Sequence, residues 1–133
     1  LLYAGWATLG MAMVLGWRAR IDFETKGGSR EGESWLHTRR VVATGIYAAV
    51  RHPMYMSFLL ISLGLVLLSQ HWLNAVLGAI VIALLYNDMR REEKSNLEWF
   101  GAEYQHYMEQ VPRLNVVTGM ARLLQSKREE AKT

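Results

Sequence analysis

The chain has 133 residues, of which 51% are apolar and 20% charged, with a net charge of +3 and no cysteine. That length suits one domain, and the missing thiols exclude disulfides, zinc-thiolate sites and cysteine nucleophiles. The positive excess comes without a Lys/Arg stripe interleaved with aromatics, which points away from nucleic acid and toward the anionic leaflet of a lipid bilayer.

In chain order, Leu1–Trp17 comes first. It carries no charge and includes Gly5, Gly10 and Gly16, small residues of the kind that let membrane helices approach closely. It falls a little short of the roughly 20 residues of a full span and opens without a methionine. Residues 1–17 therefore read as a transmembrane helix whose start lies upstream, with Arg18 and Arg20 at head-group level. A signal peptide is the competing reading, but no basic leader precedes the block and no small-residue cleavage site follows it. Residues 18–50 read as a cytosolic loop with a short interfacial helix. Gly27-Gly28-Ser29 and Gly32 mark the loop. Ser34–Val42 predicts the helix, with Trp35 as its anchor; Thr44-Gly45 breaks it, and Ile46–Val50 makes one more turn.

Residues 51–90 predict a transmembrane hairpin. Met54–Ser69 and Trp72–Tyr86 are almost wholly apolar and only Gln70-His71 separates them, so the arms must be antiparallel neighbours. The competing reading, a buried hairpin in a soluble bundle, calls for a polar helix face that neither arm has. Lys and Arg are absent from 52–89 and gather on both flanks. The positive-inside rule then puts both flanks in the cytosol and the turn outside. Over 88–110 the pattern becomes amphipathic, with Leu97, Phe100, Tyr104, Tyr107 and Met108 on one side, predicting a helix along the cytosolic face that Pro112 ends. A weaker helix follows over Thr118–Gln125, and residues 126–133 read as a frayed charged tail. The fold class is all-α, an integral membrane helical bundle in a single domain over 1–133.

Two clusters carry candidate chemistry. Arg51-His52-Pro53-Met54-Tyr55 opens the first apolar arm. Pro53 suits the first turn of a helix and drives His52 into an extended conformation, and a helix N-terminus with a fork-shaped cation beside it suits a carboxylate or phosphate. The plainer alternative has Arg51 snorkelling to lipid phosphate and His52 capping the helix. Glu92-Glu93 closes the second arm. Neighbours on a helix point about 100° apart, so one faces inward and the other lies at the rim, where a carboxylate can accept from ribose hydroxyls or an ammonium. The alternative there is a solvated face, or an ion pair with Arg90, Arg91 or Lys94. Asp88 is a further acid without a forced role, and Arg113 after Pro112 is a candidate cation for an anionic ligand. His37, His71 and His106 read as surface residues. No metal-ligand spacing, Walker motif or Gly-x-Gly-x-x-Gly is present.

Taken in order, Thr44-Gly45-Ile46-Tyr47, Arg51-His52-Pro53-Met54-Tyr55, the apolar hairpin, Glu92-Glu93, Leu97, Phe100-Gly101-x-Glu103-Tyr104-x-x-Tyr107 and Val111-Pro112-Arg113 resemble the isoprenylcysteine carboxyl methyltransferase family and its bacterial and archaeal relatives, including phospholipid and thiol methyltransferases. The likeness covers roughly residues 40–114. It implies a membrane enzyme using S-adenosylmethionine, its cofactor enclosed at the cytosolic end by the segment 91–125. It also implies cofactor contacts from His52, Tyr55, Glu92, Glu93, Tyr104 and Tyr107, with Arg51 and Arg113 holding a substrate or cofactor carboxylate. Ser57 departs from the family's usual Gly two residues after the motif Tyr. The partners implied are the lipid bilayer and a lipidic or small hydrophobic methyl acceptor, in a prokaryotic cell membrane or the endoplasmic reticulum; oligomeric state stays open. The alternatives are an NADPH-dependent, sterol-reductase-like enzyme, which would need a basic pocket for a 2′-phosphate, and a non-catalytic membrane scaffold subunit.

Overall fold

A computed structural model describes residues 1–27 and 41–132. Among these the chain forms α1 (Leu2–Gly27), a 3-10 turn (Gly45–Ala48), α2 (Pro53–Ser69), α3 (Trp72–Phe100), α4 (Ala102–Gln110) and α5 (Val116–Glu130), with no strand. The predicted interfacial helix over Ser34–Val42, with Trp35 and His37, lies outside the described residues except for Val41 and Val42, which are not helical.

α1 runs ten residues past the charge-free block. The change at Arg18 alters the solvent the helix meets, not its backbone, because Arg18 and Lys26 pair with Asp22 and Arg20 pairs with Glu24, all at four-residue spacing. α1 packs antiparallel on α2 through small residues. Gly5 sits against Leu68, Gly64 against Leu9, and Gly16 against Ser57. α2 starts on Pro53 and ends at Gln70, whose φ of 48° lets its N–H reach the Val66 carbonyl. His71 then caps α3 by accepting from the Leu73 N–H at 3.2 Å. α3 returns alongside α2, Gly78 lying against Val66 and Ser62.

The second half of the chain corrects two expectations. The amphipathic stretch 88–110 is not a separate helix, since α3 continues unbroken from the apolar residues to Phe100. At 29 residues it is about 43 Å long, against a hydrocarbon core of about 30 Å, so its charged last turns project beyond the apolar part. The break comes at Gly101, whose φ of 57° suits glycine. The charged tail is likewise helical as far as Glu130. Its Gln, Lys, Arg and Glu residues are good helix formers, and the Asn115 side chain caps the start by accepting from the Thr118 N–H at 3.1 Å.

Among the described residues α3 is the one helix long and apolar enough to cross a membrane, α2 being a shorter apolar helix. The charge-free part of α1, Leu2–Trp17, is diluted by Gly, Trp, Tyr and Thr and ends at Arg18, short of a full span. Only 11% of the most apolar window of α3 is buried, the reverse of a soluble protein's core helix. Trp6, Met13, Trp17, Phe58, Leu65, Ile80 and Leu84 are exposed as well, more apolar surface than water tolerates. The buried aromatic core lies instead at the other end, where Tyr104, Tyr107 and Val111 pack with Leu97, Phe100 and Met108.

Candidate functional site

His52 precedes Pro53 in a non-helical conformation, φ −123° and ψ 59°, as the proline requires. Its backbone and that of Arg51 pair with the segment leading into α5: Arg51 N–H donates to the Pro112 carbonyl at 3.0 Å and His52 N–H to that of Arg113 at 3.3 Å. This two-bond strap draws Arg113 toward the end of α3. There Glu93 is 4% exposed and gathers three cationic or donor groups. Arg113 grips both carboxylate oxygens, Nε to Oε1 at 3.1 Å and Nη2 to Oε2 at 2.6 Å, the bidentate geometry that gives such pairs their strength. His52 Nε2 lies 3.0 Å from Oε1; an ionised carboxylate only accepts, so Nε2 carries the proton. Arg51 Nη1 lies 3.1 Å from Oε1. Burial alone would raise the Glu93 pKa, but the hydrogen bonds from His52 and Arg113 and the charge of Arg51 outweigh it and hold the carboxyl below its ordinary 4.5. Arg113 also donates to the Tyr86 hydroxyl at 3.1 Å.

In front of this network lies a cavity of about 550 Å³, within the range of small-molecule sites. Its wall mixes aromatic rings, among them Phe23, Tyr47, Tyr55, Phe58 and Trp99, with polar groups that include Arg51, His52, Asp88, Arg91 and Glu92. Tyr55 stands near the Glu92 carboxylate and sets its ring edge-on to His52, centroids 5.5 Å apart. The Arg51 side chain is 9% exposed, yet its Nε and Nη1 make no hydrogen bond among the described residues. The contact of Nη1 with Glu93 is electrostatic only, which leaves buried donors beside the cavity without an acceptor, a costly arrangement.

The two adjacent glutamates thus divide as their helical phase requires: Glu93 is buried behind the wall and Glu92 faces the cavity. Of the residues singled out by sequence, Arg51, His52, Tyr55 and Glu92 line the cavity. Glu93 and Arg113 back it. Tyr104 and Tyr107 belong to the aromatic core, where Tyr107 donates to the Tyr47 carbonyl at 2.7 Å and so fixes the turn that carries Tyr47. His71 and His106 are exposed.

Sequence reasoning missed Asp22, and also Phe23 and Asn96, which line the cavity. Asp22 is 2% exposed and accepts from Ile46 N–H at 2.9 Å, which ties α1 to the 3-10 turn. That backbone hydrogen bond, then Lys26 and Arg18, lower its pKa against the opposing effect of burial. Gly45, φ 64°, abuts this carboxylate, with no room for a Cβ. Asp22 looks in sequence like one of several acids in a charged stretch, and no local pattern marks it as buried.

Comparison with known proteins adds the following. The family described as phospholipid methyltransferase matches residues 2–103. The protein-S-isoprenylcysteine O-methyltransferase of Saccharomyces cerevisiae is 38% identical over 72 residues, 53% of this chain and 30% of that protein. Its Schizosaccharomyces pombe counterpart is 33% identical over 73 residues, 54% and 31% of the two chains. The Homo sapiens protein is 32% identical over 76 residues, 56% and 27%. The match therefore spans less than a third of each relative's length. No solved structure matches.

Proposed function

The chain belongs to the phospholipid methyltransferase family, matched over residues 2–103, and from that membership we propose that it is an S-adenosylmethionine-dependent methyltransferase of a membrane, acting on a lipidic or small hydrophobic acceptor. The observation that carries the reading is the aromatic-lined cavity that also holds Arg51, whose buried Nε and Nη1 make no hydrogen bond among the described residues, together with the carboxylates of Asp88 and Glu92.

The residues present fit the cofactor. The orphaned Arg51 donors suit a carboxylate, Glu92 and Asp88 suit an ammonium or ribose hydroxyls, and the aromatic wall suits a sulfonium cation. When bound, S-adenosylmethionine supplies a methyl group already activated for in-line displacement, so the protein's tasks are alignment and exclusion of water. Arg51 anchors one end of the ligand. Tyr55 stands beside the Glu92 carboxylate, and His52 is held against its own rotation by Glu93, which Arg113 clamps in turn. These second-rank contacts keep the cavity wall rigid, as alignment requires.

In this reading α2 and α3 form a transmembrane hairpin with Gln70-His71 outside, and the cavity opens at the cytosolic end, where Lys and Arg gather. A lipidic acceptor enters sideways past Phe58 and Leu85, two apolar residues of the wall. The test is equilibrium binding of labelled S-adenosylmethionine to the detergent-solubilised chain. Saturable binding is expected, lost in Arg51→Ala and Glu92→Ala and weakened in His52→Ala, with no binding of NADPH. A methyl-transfer assay on a membrane lipid extract then identifies the acceptor. Absence of saturable binding to the wild-type chain, or equal binding by all the variants, overturns the site.

A further inference from the structure

α5 supplies no residue to the cavity wall. Its side facing the body is short. Gly119 lies directly on the backbone at Ala49, where a Cβ would strike the Ala49 carbonyl. Arg122 reaches back to the carbonyls at the end of α4, at Gln110 and, 3.4 Å away, Glu109. These two contacts fix the rotation of α5 about its own axis. They leave a stripe turned outward: Val117 is 81% exposed, Met120 47% and Leu124 59%. At about 100° per residue these three fall within a narrow sector, and Arg128 falls in the same sector one turn on. Lys127 flanks it, whereas Glu129 and Glu130 point to the far side. The cations thus border the apolar stripe and the acids avoid it. A helix of 15 residues is marginal in water by itself, and the two contacts just given, among the described residues, do not account for one that presents its apolar stripe to solvent.

We propose that α5 is an in-plane membrane helix that seats Val117, Met120 and Leu124 at the head-group boundary of an anionic leaflet, with Lys127 and Arg128 on lipid phosphate. The inference rests on the reading of α3 as a membrane span. The level is right. α5 begins three residues after Arg113, which is bound to Tyr86 and Glu93 where α3 turns from apolar to charged. An amphipathic helix with basic residues beside its apolar face settles at this depth, and its cations add attraction for the anionic lipid of a cytosolic leaflet. α5 then fastens the strap Pro112–Arg113, and through it the back wall of the cavity, to the bilayer surface.

The absence of native cysteine permits a direct test. Single-cysteine chains Met120→Cys, Leu124→Cys, Ser126→Cys and Val81→Cys are labelled with an environment-sensitive fluorophore and reconstituted in nanodiscs of neutral lipid, with or without phosphatidylserine. With the anionic lipid, labels at 120 and 124 should lose most of their emission to a lipid-borne quencher and little to aqueous iodide, and the label at 126 should show the reverse. Lys127→Glu with Arg128→Glu should abolish the difference between the two lipid compositions at 124. The label at 81 reports on α3 alone. If 81 is in lipid but 120 and 124 are as open to iodide as 126, the proposal for α5 falls and the span stands. If 81 itself is open to iodide, the span falls and the proposal with it. Protection of 120 and 124 from both quenchers would mean that protein covers the stripe, and would equally overturn the proposal.

Discussion

At the turn end of the α2–α3 pair, Gly78 meets Val66 and Ser62 and only Gln70-His71 joins the two helices. At the open end, three cationic or protonatable side chains, Arg51, His52 and Arg113, converge on one buried carboxylate, Glu93. The turn end is held by dispersion between close surfaces, which is what remains when lipid is as apolar as the side chains. It tolerates exchange of one apolar residue for another. The open end is held by groups that stabilise only as a set, because a buried charge that loses its partner becomes a liability. The contrast suggests a division of labour: the turn end keeps two helices adjacent, and the open end fixes directions to the accuracy a binding site needs.

The largest effect should come from taking away the centre of that set. Glu93→Ala leaves Arg51, His52 and Arg113 facing one another, and should lower unfolding free energy by about 3–5 kcal/mol, measured by chemical denaturation in detergent. A loss comparable to that of an ordinary surface substitution would show that the carboxylate is not the hub its contacts describe. Acid should reproduce part of this loss. The folded pKa of Glu93 lies below its ordinary 4.5. The carboxylate therefore contributes its full stabilisation above the unfolded value, and that contribution is lost as pH falls below 4.5 toward the folded pKa. Stability measured between pH 7 and pH 3 should decline on the acid side in the wild-type chain and decline less in Glu93→Gln; parallel curves would place the acid-sensitive group elsewhere.

The meeting of His52 and Glu93 was open to inference, since a two-residue turn between two long apolar arms forces their outer ends together. Which of the two glutamates turns inward was not, because that depends on the phase of α3. The composition change at Asp88–Arg91 looks like a boundary, yet a helix can pass from lipid to water without a break in its hydrogen bonds. For the same reason α1 runs on through Arg18 and Arg20, and Asp22 reaches the 3-10 turn. Such contacts between segments far apart in sequence leave no local periodicity to read. Tyr104 and Tyr107 were visible as one apolar stripe, but a stripe does not say whether it packs against protein or lines a cavity, and here the rings do both: they pack in the aromatic core and border a second, small cavity with Arg51 and Glu92.

A smaller effect should follow from loosening the strap. Arg113 is partly exposed, and Arg113→Ala should cost about 1.5–3 kcal/mol at most, with the lower end favoured by solvent at the guanidinium. Its signature is local. The Arg51 and His52 amides, which donate to the Pro112 and Arg113 carbonyls, should exchange hydrogen much faster while amides in the middle of α2 keep their protection. Uniform acceleration along α2 would mean that Arg113 supports the whole pair and not the strap.

The smallest effects belong to the apolar packing, and two glycines of similar setting should separate there. A Cβ at Gly64 would lie 2.8 Å from the Leu9 side chain and 3.3 Å from the Gly5 carbonyl oxygen. Leu9 has some room to turn aside, the backbone at Gly5 very little, so Gly64→Ala should destabilise by about 1 kcal/mol, the low end for overpacking. At Gly10 a Cβ would meet nothing within 4 Å. In water, alanine for glycine inside a helix gains up to about 1 kcal/mol. In a bilayer the separated helices remain helical, because an unpaired backbone in hydrocarbon is too costly, so most of that gain is absent from the reference state. Gly10→Ala should therefore stay within about 0.5 kcal/mol of wild type. Thermal unfolding of the two variants in the same detergent decides the matter: equal shifts would mean that α1 does not rest on α2 through Gly64.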